Sequence, residues 1–330
     1  MTIRDVAARS GVSISTASKA LNGKGRLTAD TRRRVILAAE QLMFAPNQLA
    51  RGLVGARTYT IGMITSDKFG RLCGPVMLGA EDALGASRIS AFMCDSGDDS
   101  EQERQHVELL LGRAVDGLIM IGHRIEPRPS VSAGLGIPVV YAVAQSVDGS
   151  EPAVIPDDVG GGRAAAAHLI SAGRRRLAHI TGPGDFLAAR RRASGFGEEA
   201  AAAGVDIRPE HVVFGEWSEK WGREAARGIL RGTPDLDGFF CGNDQIARGA
   251  SDALREVGRR IPADAAVVGF DNWDPVVLGA DPPLTSVDMG LEGIGRKAAG
   301  LLLRAVGGEH PSGVHTVPGR LVQRDSSGPG

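Results

Sequence analysis

The stretch "GVSISTASKALNG", residues 11–23, decides how the first part of the chain folds. Three serines and a threonine lie among small apolar residues, so the stretch is either a polar loop or a helix with one polar face. Gly11 and the Asn22-Gly23 pair are helix-stopping signals, and Ser13 is a favourable residue at a helix N-terminus. The sequence therefore predicts a short helix that begins at Ser13.

Helices are also predicted on both sides of this stretch. Thr2 with Asp5 three residues later matches a capping box, which predicts a first helix that ends at Gly11. Thr28 is expected to cap a third helix. The apolar stripe of that helix is Val35, Ile36, Ala39 and Leu42. A helix, a tight turn, a second helix and a supporting helix form a helix-turn-helix arrangement, so we expect an all-α helix-turn-helix domain over residues 1–45.

The segment after this domain is expected to become ordered only when a partner holds it. Pro46 interrupts the chain, and residues 47–54 are long enough for only two helical turns, which Gly52 weakens. So short a helix is marginal on its own. Residues 46–58 are therefore predicted to be a hinge helix or linker.

Charge is divided unevenly along the chain, although the net charge is only −1. Residues 1–57 contain ten Lys or Arg and three Asp or Glu, which gives this part about +7, while the remainder carries about −8. Basic charge concentrated at one end indicates a domain that binds a polyanion, attached to an acidic body. Together with the helical pattern, this charge favours binding to double-stranded DNA.

From Tyr59 onward, short apolar runs alternate with helical stretches. The runs are "TIGMI" (60–64), "ISAFMCD" (89–95), "GLIMIG" (117–122), "PVVYAV" (138–143), "LAHITG" (177–182), "VVFGE" (212–216), "GFFCGN" (238–243) and "AVVGFD" (266–271). This alternation predicts an α/β body with parallel sheets covered by helices, and the two sets of runs predict two similar lobes. Ligands of such sheets bind beyond the carboxyl ends of the strands, so we expect a ligand cleft between the lobes.

No catalytic, metal or cofactor motif is found in the sequence. There is no HExxH, GxSxG or P-loop pattern, and "TGPGDFL" (181–187) lacks the third glycine and the acidic partner of a dinucleotide-binding loop. The three cysteines are far apart, which favours neither a disulfide framework nor a zinc site. No apolar run approaches the ~18 residues of a membrane span, and the first residues lack the pattern of a secretory signal. We therefore expect a cytoplasmic, nucleoid-associated protein that is not an enzyme and uses no cofactor or metal.

Residues 2–62 resemble the DNA-binding head and hinge of the LacI/GalR family of bacterial repressors. The matching segments are "TIRDVAARSGVSISTASKALNG", "RLTADTRRRVILAAEQLMFAPNQLARGL" and "TIG". The remainder is similar to the family's sensor core, related to periplasmic sugar-binding proteins, through segments such as "IPDDVGGGRAAAAHLISAGRRRLAHITGP" and "GFFCGNDQIARGASDALREVGRRIPADAAVVGFDN". The resemblance implies a homodimeric transcriptional regulator, expected to repress carbohydrate-use genes. A small ligand, expected to be a sugar, would bind between the lobes and switch the affinity for operator DNA.

The resemblance also implies which residues of the head contact DNA. The base-reading positions hold Ile14, Ser15 and Lys19, which share one face of the second helix by their spacing. The phosphate-contacting positions hold Thr2, Ser13, Thr16, Asn22 and Thr31. In the hinge, Asn47 and Ala50 would lie against the minor groove. Leu53 would be wedged between the central base pairs, where an apolar side chain unstacks a step and bends the duplex.

Four candidate effector-binding residues belong to the second lobe. Arg192 stands three residues before Gly195, as the ligand-binding arginine of the family does, and Trp217 matches an aromatic residue that packs on the ligand. Asn243 and Asp271 end apolar runs, so both are expected at the carboxyl ends of strands. An aromatic face with Asp, Asn and Arg side chains suits a carbohydrate. The structural alternatives are ordinary lobe packing for the tryptophan and strand-end or turn capping for the Asn and Asp side chains.

The first lobe offers two further candidates, Asp67 and Phe69, which follow the first apolar run where the cleft should open. After the fourth run the family often has an Asp-Arg pair, whereas this chain has Val-Ala at 143–144. The cleft is therefore either more apolar on that side, or its polar groups come from the Gln-Ser pair at 145–146. This departure prevents the transfer of a particular sugar from known members.

The resemblance further implies that the chain crosses between the lobes three times. The crossovers are expected near Asp157, Leu284 and Arg320. The N-terminal lobe of the sensor core would be 59–157 and 285–319, and the C-terminal lobe 158–284. A tail, expected to be partly disordered, would cover 320–330.

Two other classes of protein are alternatives on such a two-lobed scaffold. A sugar-binding transport receptor would need a signal peptide and would have no helix-turn-helix head. A sugar-converting enzyme with an accessory DNA-binding head would need paired catalytic carboxylates or an activated nucleophile, and Asp271 has no evident partner in the sequence. A ligand-responsive regulator is therefore the favoured interpretation.

Overall fold

The structure is a computed structural model that describes residues 1–21, 25–44, 57–67, 70–85, 87 and 89–328. The chain forms two compact units, Met1–Thr58 and Tyr59–Gly330. Within the described residues, no helix combines the length and the apolar character that crossing a bilayer requires.

The first unit is built from three short helices, which are α1 (Ile3–Ser10), α2 (Ile14–Leu21) and α3 (Ala29–Gln41). The capping box of α1 is present, because the Thr2 N–H donates to Asp5 Oδ2 at 2.7 Å and the Asp5 N–H donates to Thr2 Oγ1 at 3.4 Å. Gly11 ends this helix with φ of 66°, a conformation that glycine adopts without strain. The helices bury a small core of Val6, Ala7, Ala17, Ala20, Val35, Ala38 and Ala39. The predicted helix-turn-helix arrangement is confirmed.

The second unit alternates strands and helices, as the apolar runs predict. Its strands are β1 (Thr60–Thr65), β2 (Ser90–Asp95), β3 (Gly117–Ile121), β4 (Pro127–Arg128), β5 (Val139–Ala142), β6 (Gln145–Ser146), β7 (Ala153–Pro156), β8 (Leu177–Thr181), β9 (Val212–Phe214), β10 (Gly238–Cys241), β11 (Ala266–Asp271), β12 (Thr285–Asp288), β13 (Val314–Val317) and β14 (Arg320–Val322). Its helices are α4 (Cys73–Gly85), α5 (Ser100–Gly112), α6 (Asp158–Ser171), α7 (Leu187–Ala202), α8 (Glu219–Gly232), α9 (Asp244–Glu256), α10 (Asp274–Val277) and α11 (Leu291–Val306).

Two six-stranded sheets form the cores of two lobes. The first sheet has the order β13-β7-β5-β3-β1-β2, and the second has the order β14-β12-β11-β10-β8-β9. Neighbouring strands are parallel in both sheets, apart from the antiparallel pair of β12 and β14. Helices pack against both sheets, and β4 pairs with β6 beside the first sheet. The carboxyl ends of the parallel strands in each lobe are therefore free to line a cleft.

The chain passes between the lobes at three places. The first passage follows β7 at Asp157, and the third lies between β13 and β14. The second follows β12, because Val268 to Asp271 of β11 pair in parallel with Thr285 to Asp288. The expected boundary near Leu284 is therefore too early, and it moves to the residues after Asp288.

Residues 320–328 differ from the partly disordered tail that their polar composition predicts. β14 pairs with β12, and Ser326 and Ser327 are buried. The Ser326 hydroxyl donates to the carbonyl of Val267 at 2.6 Å and accepts from the Thr285 N–H at 2.8 Å. Small serine side chains bury easily once their hydroxyls are paired with backbone groups, and a reading of composition misses this.

Candidate functional site

The second helix of the head has one exposed face, which carries the residues predicted to contact DNA, and one buried face. Ile14, Ser15 and Lys19 are exposed, and 47% of the Ile14 surface is accessible. Ala17 and Ala20 on the opposite face are buried against α1 and α3. An apolar side chain kept at the surface beside a lysine is available to contact base edges in the major groove.

The predicted phosphate contacts that the structure describes all lie at helix N-termini. Thr2 caps α1, and the Ser13 hydroxyl accepts from the Thr16 N–H at 3.1 Å at the start of α2. Thr31 lies in the first turn of α3, where its N–H donates to the Thr28 hydroxyl at 3.2 Å. Helix N-termini present N–H groups and the positive end of the helix dipole, which suits a phosphate.

Five of the candidate residues lie outside the part of the chain that the structure describes. They are Asn22 of the predicted phosphate set, Asn47, Ala50 and Leu53 of the predicted hinge, and Phe69 of the predicted effector site. Their roles stay predictions from the resemblance.

A cavity of about 470 Å³ lies between the two lobes, at the carboxyl ends of their strands. Five of the six predicted effector residues line it, namely Asp67, Arg192, Trp217, Asn243 and Asp271. Residues that the sequence analysis did not single out also line it, among them Ser66, Arg71, Asp98, His123, Asp158, Phe186 and Trp273. The volume lies in the range of about 300–1,000 Å³ typical of small-molecule sites.

A buried ion pair between Arg192 and Asp158 lies on the second-lobe side of the cavity. Arg192 Nε donates to Asp158 Oδ1 at 2.8 Å, and its Nη1 donates to the carbonyl of Gly242 at 2.5 Å. The guanidinium also lies 3.7 Å from the centre of the Phe270 ring. Burial raises the pKa of Asp158, and the adjacent guanidinium opposes that shift. The arginine is thus fixed in orientation before a ligand arrives.

Close packing of α6 and α7 places this arginine. A Cβ atom added to Gly195 would lie 2.0 Å from the carbonyl oxygen of Val159, and one added to Gly162 would lie 2.3 Å from the carbonyl oxygen of Arg192. Only glycine allows the two helix backbones to approach so closely. Gly162 of the "GGGR" run (160–163) and Gly195 therefore permit the close packing of these two helices.

Asp271 lies on a strained turn at the end of β11. Asp271 and Asn272 have φ of 102° and 55°, a region that costs a non-glycine residue on the order of 1–3 kcal/mol. The turn is held by hydrogen bonds from the Asn272 N–H to Ser286 Oγ at 3.0 Å and from the Trp273 N–H to Asp244 Oδ2 at 2.7 Å. The turn directs Asp271 into the cavity, where it also accepts a hydrogen bond from Arg71 of the first lobe.

Asp244 is a buried carboxyl group behind this turn. It receives a hydrogen bond of 2.5 Å from Ser286 Oγ in addition to the one from the Trp273 N–H. Burial raises its pKa to about 8, and the nearby carboxylate of Asp271 adds to the shift. The folded protein therefore favours the protonated form of this group more than the unfolded chain does.

The position of Asn243 is compatible with both of the roles that the sequence left open. Its Oδ1 accepts from the Ile246 N–H at 2.8 Å, which caps α9. Its Nδ2 is buried and has no hydrogen-bond partner among the described residues, although the side chain lines the cavity. A buried donor without a partner is costly, so a ligand oxygen at this point would be favoured.

Aromatic side chains cover one side of the cavity. The Trp217 ring meets Phe186 edge-on, with ring centres 5.8 Å apart, and Arg192 lies 5.7 Å from the Trp217 ring centre. A Cβ atom on Gly182 would fall 2.2 Å from the Trp217 ring, so glycine is needed there to admit it. Trp217 packs on the core of its lobe and also lines the cavity, so both of its predicted roles are compatible with its position.

The first-lobe wall is polar, but not through the Gln-Ser pair. Gln145 Nε2 donates to the carbonyl of Ile125 in a neighbouring loop, and Ser146 Oγ accepts from the Asp148 N–H at 3.0 Å. Neither residue lines the cavity. Of the two alternatives that the sequence left open, the one in which this pair supplies the cleft's polar groups is therefore wrong. Those groups come instead from Ser66, Asp67, Arg71, Asp98 and His123.

Some of the missed residues carry a signal in the sequence. His123 follows the run "GLIMIG", and Asp158 follows a strand in "IPDD", so the rule that placed Asn243 also applies to them. Arg71 carries no such signal, because its partner Asp271 is 200 residues away.

Comparison with known proteins identifies the two parts of the chain. Residues 2–47 match the model of bacterial regulatory proteins of the lacI family, and residues 166–327 match a periplasmic binding protein-like domain. The HTH-type transcriptional regulator CelR of Thermobifida fusca is 34% identical over 97% of this chain and 95% of its own length. A structure titled transcriptional regulator CelR-cellobiose complex superimposes with a TM-score of 0.70 at 31% identity, and covers 99% of both chains. The lac repressor dimer bound to operator and the anti-inducer ONPF gives a TM-score of 0.77 at 26% identity, also over 99% of both chains. The chain therefore belongs to the LacI family of bacterial regulatory proteins.

Proposed function

We propose that the protein is a homodimeric transcriptional repressor of carbohydrate-use genes, and that a sugar bound between its lobes sets its affinity for operator DNA. One observation carries the proposal. The same chain has a helix-turn-helix head with exposed Ile14, Ser15 and Lys19, and a cavity lined by aromatic and hydrogen-bonding side chains. The protein would act in the cytoplasm, on the nucleoid.

The proposed DNA contacts follow from the chemistry of the exposed side chains. Lys19 donates to guanine acceptors in the major groove, and Ile14 contacts an apolar group such as a thymine methyl. Ser13, Thr16 and the other helix-terminal hydroxyls contact phosphates and fix the register of the helix on the duplex. The hinge residues Asn47, Ala50 and Leu53 would add minor-groove contacts and a bend, as the resemblance implies.

The proposed effector is a carbohydrate, because the cavity offers both kinds of contact that a sugar needs. Trp217 and Phe186 present apolar surface for the C–H face of a pyranose ring, and Asp271, Arg192 and the free Asn243 amide supply directional hydrogen bonds to hydroxyls. A relative over nearly the whole chain is named CelR, and a solved structure that covers 99% of this chain is titled a CelR-cellobiose complex. Cellobiose is therefore the first sugar to test.

The proposed dimer has a candidate surface on the first lobe. β2 is the edge strand of its sheet and pairs only with β1 among the described strands. Phe92 and Met93 on this strand are 45% and 41% exposed, and Leu78 of the adjacent α4 is also exposed. An exposed apolar edge strand is an unstable surface for a monomer, and a second copy would cover it. Two heads would then read two inverted half-sites.

Catalysis on the bound sugar is not part of the proposal. Three buried carboxyl groups line the cavity. Asp158 and Asp271 are each paired with an arginine, and Asp67 accepts hydrogen bonds from the Leu72 and Cys73 N–H groups. All three groups are thus already engaged in contacts within the protein, and none is held as a free acid or base beside the cavity. The relatives named above are likewise transcriptional regulators.

Sugar binding in the cleft and operator binding by the head would be coupled through two alternative arrangements of the lobes. A sugar that prefers one arrangement of the lobes shifts the population of that arrangement, and thereby the spacing of the hinges. A coupling free energy of about 1–3 kcal/mol changes operator affinity by about 5- to 150-fold. A sugar that prefers the arrangement competent for operator binding acts as a corepressor, and one that prefers the other acts as an inducer.

The proposal is tested on the full-length protein in two steps. First, selection from a random DNA pool should recover an inverted-repeat site, and Lys19→Ala and Ile14→Ala should change the recovered bases. Arg34→Ala, on an exposed α3 side chain paired with Asp30 at 3.7 Å, is the control and should keep the same site. Second, cellobiose should raise the melting temperature and change the affinity for the selected site. An unchanged site preference in both head variants, or conversion of the sugar into a product, would contradict the proposal.

A further inference from the structure

We infer that Arg124 and Glu126 of the first lobe form a latch that holds the cleft closed over the effector by binding the start of α7 in the second lobe. The two residues are positioning residues, since neither lines the cavity. The inference rests on the proposed function, because a latch of this kind regulates the same cleft.

The start of α7 lacks a cap from its own lobe. Its N-cap residue, Phe186, makes no side-chain capping bond in the described structure, and its first turn contains no acidic residue. A helix N-terminus has unpaired N–H groups and a positive dipole end, so it favours a carboxylate. Glu126 supplies that carboxylate from the other lobe, because its Oε1 accepts from the Leu187 N–H.

Arg124 strengthens the contact from the same segment. Its guanidinium lies 3.8 Å from the centre of the Phe186 ring, which is a cation–π contact between the lobes. Its Nη2 donates to Asp185 Oδ2 at 3.3 Å, and its Nε lies 3.5 Å from Glu126 Oε2. One arginine thus links the capping carboxylate to the two residues that precede α7.

The segment that carries the latch is fixed to the first lobe. The buried Ile125 between the two latch residues has its carbonyl held by Gln145 Nε2. The next residues, Pro127–Arg128, pair with β6, and Arg128 Nη1 donates to Glu103 Oε2 at 2.8 Å. Because the segment is braced in this way, separation of the lobes would break the contacts to α7 rather than stretch the segment. Gln145, which the sequence offered only as an alternative source of polar groups for the cleft, therefore supports the latch.

The latch and the effector act on the same elements. Phe186 lines the cavity, and its ring also makes the cation–π contact with Arg124. Arg192, the fixed cationic group of the cavity, lies on α7, the helix that Glu126 caps. A sugar seated against these residues and a closed latch therefore stabilise the same arrangement of the lobes. By linkage, removal of the latch weakens sugar binding without removal of any contact to the sugar.

The individual contacts differ in their expected weight. Asp185 is 71% exposed, so its pair with Arg124 contributes little, as exposed ion pairs generally do. Glu126 and Phe186 are partly buried, and they hold the capping bond and the ring contact. Glu126→Ala and Arg124→Met should therefore have large effects, and Asp185→Asn a small one.

Amide hydrogen exchange on the full-length protein tests the latch without any ligand. Leu187 is the first residue of α7, so its N–H has no acceptor within the helix, and its protection reports the bond to Glu126. We expect Glu126→Ala to speed its exchange about tenfold or more, and Glu126→Gln to do so less. Arg190→Met, whose arginine bonds only to the Gly184 carbonyl of its own lobe in the described contacts, is the matched control and should leave the rate unchanged.

Sugar binding provides the second readout, with cellobiose as the probe. Glu126→Ala and Arg124→Met should weaken binding about 5- to 50-fold, mainly through faster dissociation, while the melting temperature without sugar stays near that of wild type. A Leu187 exchange rate unaffected by Glu126→Ala, or wild-type dissociation rates in both variants, would overturn the latch. If wild type does not bind cellobiose but Glu126→Ala still speeds exchange at Leu187, the choice of sugar fails and the latch stands.

Discussion

The two walls of the cleft are built in different ways. On the second lobe, Arg192 is locked between Asp158, the Gly242 carbonyl and the Phe270 ring, and Asp271 is held on a strained turn. On the first lobe, Arg71 and His123 are partly exposed. Arg71 lies in the loop before α4, and His123 follows β3. Buried, hydrogen-bonded side chains lose their conformational entropy during folding. Exposed side chains lose it when a ligand binds, which weakens binding. We therefore expect the second-lobe wall to be preformed, and Arg71 and His123 of the first lobe to become ordered when a ligand binds.

The largest expected effect comes from breaking the second-lobe wall. Asp158→Ala leaves the Arg192 guanidinium buried without its carboxylate, so the free energy of unfolding should fall by about 3–5 kcal/mol. Denaturant unfolding of the full-length protein measures this loss. Asp157→Ala is the matched control, because that neighbour only caps α6 through a 2.9 Å bond from the Gly160 N–H and should cost about 0.5–2 kcal/mol. Equal losses of unfolding free energy in the two variants would contradict the view that the Asp158–Arg192 ion pair stabilises the second-lobe wall.

A second test removes charge from the same wall and keeps its shape. Asp271→Asn should weaken cellobiose binding by about 10- to 150-fold, because hydrogen bonds to a charged group contribute about 1.5–3 kcal/mol. Operator affinity without sugar should stay unchanged. Isothermal titration and DNA-binding anisotropy measure the two quantities, and Asp281→Asn on the exposed surface of the same lobe serves as control. A full sugar response in Asp271→Asn would remove Asp271 from the site.

A third test of the second-lobe wall uses the pH dependence of the free energy of unfolding. The buried Asp244 supports the turn that carries Asp271, so its titration should affect the stability of this wall. Its folded-state pKa of about 8 lies above its ordinary value of 3.8. The folded state therefore binds this proton more tightly than the unfolded state, so its contribution to stability is full below about pH 4 and is lost as the pH rises towards 8. Unfolding experiments across this range should show that loss in wild type and a flatter profile in Asp244→Asn. Identical profiles would contradict the assignment.

The smallest effect is expected on the first-lobe wall. Arg71→Met removes the cross-cleft partner of Asp271, yet the free energy of unfolding should change by only about 0–1 kcal/mol, because this partner is partly exposed. Chemical denaturation measures the change beside Asp158→Ala. If Arg71→Met costs as much as Asp158→Ala, both walls are preformed and the comparison fails.

Local signals made the head predictable from the sequence. The capping pair of Thr2 and Asp5, the stop at Gly11 and the spacing of small apolar residues in α2 each act within a few residues. The alternating pattern of the body predicted the α/β lobes for the same reason. The strand-end rule then led to Asn243 and Asp271, both of which line the cavity.

Long-range pairing explains what the sequence did not reveal. The bonds of Arg71 to Asp271 and of Leu187 to Glu126 join segments 200 and 61 residues apart, and no local pattern marks them. The tail was misread because β14 gains its partner only from β12. Gln145 was one of the two residues considered as an alternative source of polar groups for the cleft, but its amide donates to the carbonyl of Ile125 in a neighbouring loop.

The late strands have a consequence for how the protein is made on the ribosome. The sheet of the second lobe needs β12 and β14, and the sheet of the first lobe needs β13, so both sheets wait for residues synthesised after position 284. The head is complete within the first 58 residues. A nascent chain can therefore fold its helix-turn-helix long before either lobe can close on a sugar. During synthesis the DNA-binding head therefore folds first, and the ligand-binding lobes are completed last.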